Sequence, residues 1–362
     1  MNTGRRMRLV ALLAMMTALL FAACGGPDHA VSETDADVPG ELIVARDTDD
    51  DDKGELFIVA ADGSVARAIP DAEGFYNVVV SPDGRTVAAV QGAQNSQPIV
   101  VVDLATGAVS PVSVPAGAYS SPAWSPSGDR FAFTGVDYSR FTGNGAYADL
   151  VYIANADGTD ARLLSEDAPD GASAPTWSFD GTRLAYIQQP GVWVADADGT
   201  NRREVTEGMQ SAFWPSWSPV DDWIAFTGYE REYSAVYLVN AAGSEQVKLS
   251  PDGVLGTNPA WSPDGSWIAF TAYDLNDEDT ELHLIRPDGS DHRAIDLSKS
   301  ASQLNWSPDG QWIAFTTVYA ESDGPITSIH LSVINPFDED PEAHTLVRDL
   351  MDQATPAWRP SP

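Results

Sequence analysis

The 362-residue sequence contains a single cysteine, Cys24, and only three lysines, Lys53, Lys248 and Lys299. One cysteine excludes any intramolecular disulfide. Basic residues of all kinds number 20 against 53 acidic ones, a formal charge of −33. Such a surface repels nucleic acid and anionic lipid headgroups, so neither is expected as a partner. No apolar run reaches the ~20 residues that a membrane-spanning helix requires. The longest, "LVALLAMMTALLF", stops at 13. Catalytic signatures are missing too: there is no GxSxG elbow, no HExxH and no glycine-rich phosphate loop. The five histidines are scattered, with His29 near the N-terminus and His283, His292, His330 and His344 in the C-terminal third. An enzyme is therefore not the expectation.

What the sequence does have begins at its N-terminus. Arg5, Arg6 and Arg8 precede the apolar run, and the small residues Ala22 and Ala23 follow it. That order of charge, apolar core and small residues is a secretory signal over residues 1–23. "LFAAC" resembles the lipobox of bacterial lipoproteins, and the resemblance implies cleavage before Cys24 and lipidation of its thiol. The mature protein would then be exported and held at a membrane facing the periplasm or the cell exterior. Residues 24–40 are polar, acidic and interrupted by Gly and Pro, the composition of a flexible tether.

From residue 41 onward one sentence recurs. "PSWSPVDDWIAFTG", "PAWSPDGSWIAFTA" and "LNWSPDGQWIAFTT" are near copies, and weaker ones lie upstream. Aligned on the serine, the copies fall at Ser81, Ser125, Ser178, Ser218, Ser262 and Ser307, with Arg359 in the same slot of "PAWR". The intervals run from 40 to 53 residues, the period of a four-stranded propeller blade with loop insertions. Within each copy "PAW" is a first strand and "SPDG" a tight turn with Pro second and Gly fourth. "WIAFT" is a second strand, apolar at nearly every position as a strand buried on both faces must be. A segment such as "ELHLI" or "AVYLV" is a third, and a short polar stretch after "DGS" or "DGT" a fourth. Residues 41–70 supply strands two to four of a further blade, whose missing first strand is "PAWR" at the C-terminus. The expectation is an all-β propeller over 41–362, seven blades favoured, its ring closed by the C-terminal strand joining the N-terminal blade. Six blades result if 41–77 form none.

The run "PxWSPDGxxIAFT" followed by "DADGT" resembles the TolB-type, WD-like β-propeller repeat of bacterial envelope proteins. The likeness extends over almost all of the mature chain. Departures are Val80 in the Trp slot, Phe179 for Pro, and Val220-Asp221-Asp222 in place of the Asp-Gly turn. No stretch corresponds to the additional N-terminal α/β domain that TolB proteins carry. The resemblance implies a binding or scaffolding module at the cell envelope with a protein partner; a sensor or accessory subunit of an envelope complex is an alternative.

The repeated Trp124, Trp177, Trp217, Trp261, Trp306 and Trp358 share the period of the fold and are read as filling between blades. Asp83, Asp264 and Asp309 are read as turn residues bonding their own backbone. Function is sought instead in the insertions, which vary where the frame does not. Loops joining strands two and three are expected at 136–149, 228–235, 272–281 and 318–327. They place Tyr138, Arg140, Phe141, Tyr147, Tyr229, Arg231, Tyr233, Tyr273 and Tyr319 on one face, and Tyr and Arg are overrepresented at binding hot spots. Glycan binding is the alternative there. A carbohydrate-active site would draw on Asp274, Asp277, Glu278 and Asp279 as acid and base. No cofactor is expected; calcium at Asp47, Asp49 and Asp51 is the weaker reading of "DTDDDDKG", which lacks the spaced Asp-x-Asp-x-Asp-Gly pattern.

Overall fold

The computed structural model describes residues 38, 40–46, 55–61, 65–69, 74–92, 98–114, 119–141, 147–164, 171–230, 233–273, 280–297, 301–320, 326–350 and 355–360. Every described element is a strand, and the strands form seven four-stranded antiparallel sheets. Six are consecutive meanders: blade two over 75–111, blade three over 119–163, blade four over 173–204, blade five over 211–248, blade six over 255–296 and blade seven over 301–350. Blade one joins the two ends of the chain. Its strands two to four are Glu41–Arg46, Glu55–Ala60 and Val65–Ala68, and its first strand is Ala357–Arg359. The seven-bladed, end-joined ring is the one expected from the repeat.

First strands of successive blades touch one another in order around the ring, and Ala357–Arg359 touches those of blades two and seven. They therefore surround the axis and line a central channel. Second and third strands lie between them and the rim, buried on both faces. Ile224, Ala225 and Phe226 of blade five, and Ile268, Ala269 and Phe270 of blade six, are fully inaccessible. The core is accordingly a series of layers between blades. One layer sets Leu42, Val44 and Val59 of blade one against Ala314, Leu331 and Val333 of blade seven; another sets Ile43, Leu56 and Ile58 against Phe75, Val87 and Val100 of blade two.

The repeated motif explains how the layers are fastened. In the "SPDG" turn the Gly84 N–H donates to the Ser81 carbonyl (2.9 Å), and the Ser81 hydroxyl donates to Asp83 Oδ1 (2.7 Å). Ser262–Asp264 and Ser307–Asp309 repeat the hydroxyl bond at 2.6 and 2.5 Å. The Ser81 and Ser262 hydroxyls hold Asp83 and Asp264 below the usual carboxylate range. These aspartates are turn residues. The tryptophans bridge blades: the indole N–H groups of Trp124, Trp177, Trp261, Trp306 and Trp358 donate to Val79 O, Ala123 O, Ser216 O, Ala260 O and Asn305 O of the preceding blade at 2.9–3.1 Å. Val80 can make no such bond at the seam between blades one and two. There Arg359 substitutes, donating from Nε to Gly84 O (2.8 Å) and pairing through Nη1 with Glu41 (2.6 Å). Gly84 has φ +68°, and a Cβ on it would lie 2.6 Å from Pro360 O. Only glycine satisfies both demands of that seam.

The strands run further than the sequence predicts. Strand continues over Arg130–Phe141 and Tyr147–Asn155 where a loop is expected at 136–149. It likewise covers Trp223–Glu230 with Tyr233–Asn240, and Ile313–Ala320 with Ile326–Ile334. Aromatic and β-branched residues at these ends suit a pleated surface, and cross-strand pairing carries the hairpins past the blade proper.

Candidate binding surface on blade five

The first strands of blades two to seven carry a fault at a fixed place. Four residues before the motif serine the backbone turns left-handed, at Asn77 (φ 52°), Ser121 (50°), Ala174 (53°), Trp214 (48°), Asn258 (55°) and Gln303 (57°). Pairing with the second strand slips by a residue there in all six blades. In four of them the next residue is proline (Pro122, Pro175, Pro215 and Pro259), which has no N–H to offer the ladder. The bulge residue's own N–H turns to the preceding blade. Ala174 N donates to Thr134 Oγ1 (3.0 Å) and Asn258 N to Thr227 Oγ1 (3.1 Å). The terminal Thr of "IAFT" is thus a cap for its neighbour's bulge.

Blade five departs from this pattern. Its bulge residue is Trp214, a bulky side chain in a conformation that favours Gly, Asn and Asp. The threonine slot of the preceding blade is Ile187, which has no hydroxyl. Support comes from Gln189 instead, whose amide donates to Ala212 O (2.9 Å). The turn "PVDD" also changes the seam. Trp217 Nε1 donates to Asp221 O within its own turn (3.1 Å) rather than across to blade four. An Arg183–Asp222 ion pair at 2.6 Å and the Arg183 guanidinium over the Trp217 ring at 5.2 Å hold the two blades together.

Blade five also carries most of the exposed large apolar side chains. Among the described residues six large apolar side chains are exposed, and five belong to this blade: Phe213, Trp214, Val220, Tyr233 and Val247. The Phe213 ring lies 5.5 Å from that of Trp214 and meets Tyr229 edge-on at 5.7 Å. Burial in this cluster pushes the Tyr229 phenol above its ordinary pKa, a hydrogen bond with Ser234 offsetting it in part. Tyr233 is 53% exposed. It does not join the cluster, because Glu230 stands opposite it and Ser234 opposite Tyr229, so the two tyrosines point to opposite faces of the sheet.

Of the residues expected on the loop face, Tyr229, Tyr233 and Tyr273 are described, and Tyr229 and Tyr233 point to opposite faces of their sheet. Tyr273 is half-buried in the slot of blade six that matches Tyr229. Tyr138, Phe141, Tyr147, Arg140 and Tyr319 stand on strands rather than loops, with side chains outside the described part. Arg231, Cys24, Asp47, Asp49, Asp51, Asp274, Asp277, Glu278 and Asp279 lie outside the described residues altogether. Phe213 and Trp214 escaped the sequence reading because they sit inside a strand. The signal was present: Trp214 is out of step with the tryptophan period, and the aligned slots hold Asn, Ser, Ala or Gln.

The four described histidines lie away from the axis. His283 and His330 are on third strands, while His292 and His344 flank or begin fourth strands. His283 Nδ1 is 2.8 Å from His292 Nε2, and His283 Nε2 is 2.9 Å from Glu281. Among the described residues no group of three or more His, Cys, Asp or Glu is placed to hold a metal ion.

Residues 188–323 match the family described as the TolB beta propeller domain. The Tol-Pal system protein TolB of Gluconobacter oxydans is 33% identical over 115 residues, 28% of this chain and 23% of that protein. The chain thus matches less than a quarter of the relative's length. Among solved structures, TolB from Acinetobacter baumannii covers 89% of this chain, with 67% of its own length matched, at 16% identity and a TM-score of 0.54. Oligogalacturonate lyase from Vibrio parahaemolyticus covers 85%, with 91% of its own length matched, at 15% identity and a TM-score of 0.60. Identities this low speak for the fold alone. Fold and repeat agree: the chain is a β-propeller of seven four-stranded blades, and residues 188–323 are similar to the TolB beta propeller domain.

Proposed function

We propose that this propeller is a protein-binding module of the cell envelope, exported and lipid-anchored through Cys24, which receives its partner on blade five. The observation that carries the reading is the concentration of five of the six exposed large apolar residues on that one blade. Exposed apolar side chains concentrated on one blade of an otherwise acidic protein support an interaction site there, and aromatic side chains dominate binding energetics. The likeness to Tol-Pal system proteins supports an envelope setting. The lipobox-like "LFAAC" supports the anchor, with residues 24–40 as the tether.

A photoreactive residue placed at Tyr233 or Val247 tests the docking surface against the same residue at Thr106 on blade two. Capture of one defined envelope protein from the blade-five positions and not from Thr106 is expected. Equal yields at both would remove blade five from the proposal. Cys24→Ala should move the protein from membrane to soluble fractions, and unchanged partitioning would remove the anchor.

A further inference from the structure

The channel wall differs chemically from the rest of the molecule. Charged residues make up 20% of the chain, yet the bulge positions Asn77, Ser121, Ala174, Trp214, Asn258 and Gln303 include none. The residues just before them (Tyr76, Ser120, Ser173, Phe213, Thr257 and Ser302) include none either. Blade one supplies Thr355 at the same slot, four residues before Arg359. Blade five supplies the adjacent aromatic pair Phe213 and Trp214; apart from Tyr76, Ala174 and that pair, the slots hold amide and hydroxyl side chains.

Two of its polar atoms are orphans. Gln303 Oε1 and Thr355 Oγ1 are buried and have no hydrogen-bond partner. Gln303 occupies the bulge of blade seven and Thr355 the aligned position of blade one, and each belongs to a half-exposed residue. Counting around the ring, Trp214 on blade five is three blades from Thr355, about as far across as a seven-membered ring allows. The ring order therefore sets an exposed aromatic residue and the two unpaired oxygens on blades far apart around the channel, with Asn258 on the blade between Trp214 and Gln303.

We propose that the channel holds a neutral saccharide unit, stacked on Trp214 and hydrogen-bonded through its hydroxyls to Asn258, Gln303 and Thr355. Apolar walls with a few convergent polar groups are the composition of small-ligand sites. A pyranose matches this one because it has an apolar C–H face and a rim of hydroxyls that both donate and accept. A uronate, a phosphate or an ammonium group would find no counter-charge on the ring, and unpaired charge in such a site is expensive. An apolar peptide side chain would fill the aromatic side and leave the two oxygens unpaired. The bulky residue in the left-handed position fits the same reading, since backbone strain is retained where a functional site needs the side chain it carries. The site shares blade five with the docking surface but does not use that surface's outer residues Tyr233 and Val247.

The test titrates the purified full chain with chitotriose, maltotriose, cellotriose and trigalacturonate, reading ligand resonances by saturation-transfer NMR. Trp214→Asn is the informative variant, because Asn77 and Asn258 already occupy that backbone position and the fold is retained. A neutral trisaccharide should bind with little dependence on salt, weaken at least about tenfold in Trp214→Asn, and weaken less in Gln303→Ala. Tyr233→Ala should leave saccharide binding unchanged while reducing cross-linking to the protein partner. Absence of binding by all three neutral sugars at about 10 mM, a range already weaker than ordinary recognition, overturns the proposal. So does tighter binding of trigalacturonate, or binding that survives Trp214→Asn. Protein cross-linking that depends on Trp214 and Gln303 would also overturn it, assigning the channel to the partner instead.

Discussion

Blades five and six share one repeat and solve it differently. In blade six the turn is Ser262-Pro263-Asp264-Gly265, Trp261 reaches back to Ser216 O, and the bulge residue is Asn258, capped by Thr227. Each local choice agrees with the fold. In blade five the turn loses its Asp-Gly, Trp217 bonds within its own turn, and the bulge holds Trp214 opposite Ile187. Local disagreement of this kind is where function is expected, because it costs stability and is kept. Blade six belongs to the frame and blade five to what the frame presents.

The largest test of that contrast is a pair of tryptophan deletions. Trp261→Ala removes a buried indole and an inter-blade hydrogen bond, and should cost about 4 kcal/mol in urea unfolding. Trp217→Ala empties a comparable site and removes the ring under Arg183, but breaks no hydrogen bond to the neighbouring blade. It should cost about 1 kcal/mol less. Equal losses would mean that the rerouted indole N–H has no energetic meaning.

A second exchange reverses the bulge residues. Trp214→Asn puts a residue that tolerates left-handed backbone where a bulky one now stands, and should raise stability by about 1 kcal/mol. Asn258→Trp should lower it by a similar amount. Stabilisation by Trp214→Asn together with loss of ligand binding would locate the trade of stability for function at a single residue. A destabilised Trp214→Asn would show that the ring contacts with Phe213 outweigh the strain.

The contrast also explains what was legible beforehand. Blade number, turn chemistry and ring closure follow from a period repeated six times, each copy corroborating the others. The interaction surface has no such redundancy. Tyr229 and Tyr233 could be named from the insertion at 228–235, but their opposite orientations depend on strand pairing that continues to Glu230 and Tyr233. Phe213 and Trp214 needed a comparison of aligned slots within a strand, where every other blade carries a small or polar residue at the bulge. The search of loops alone passed over them.

Acid should separate the same two blades, since blade five has no histidine. Burial holds His283 below its ordinary value of 6.5 despite the adjacent Glu281 carboxylate, and burial together with the nearby His283 lowers His292. The unfolded chain therefore binds protons that the native blade resists. Stability from this pair is complete above about 6.5 and is lost as pH falls below it toward the native values. Hydrogen exchange, corrected for its intrinsic pH dependence, should rise in Thr280–Ile285 and Arg293–Asp296 on crossing that range and stay level in Tyr233–Asn240. His283→Gln should flatten the response, and a uniform change in both blades would assign it to the whole ring.

The smallest expected effect lies in the turn itself. Asp264 is held below its ordinary range chiefly by the Ser262 hydroxyl, with the Ser266 backbone and hydroxyl adding to it; blade five has Val220 in the same place. The depressed pKa means that Asp264 contributes stability above the unfolded carboxylate range and loses it as pH falls through the native value. The residue is exposed, so solvent screening limits the contribution to less than about 1 kcal/mol. Asp264→Asn should therefore lower stability slightly at neutral pH, with the difference from the parent shrinking as acid protonates the parent's carboxyl. Val220→Asp should gain the same small, acid-sensitive increment, provided Ser218 can turn its hydroxyl toward the new carboxylate as Ser262 does. A gain that persists in acid would trace the benefit to removing an exposed apolar side chain, and would leave the hydroxyl–carboxylate bond a consequence of the turn rather than a cause of it.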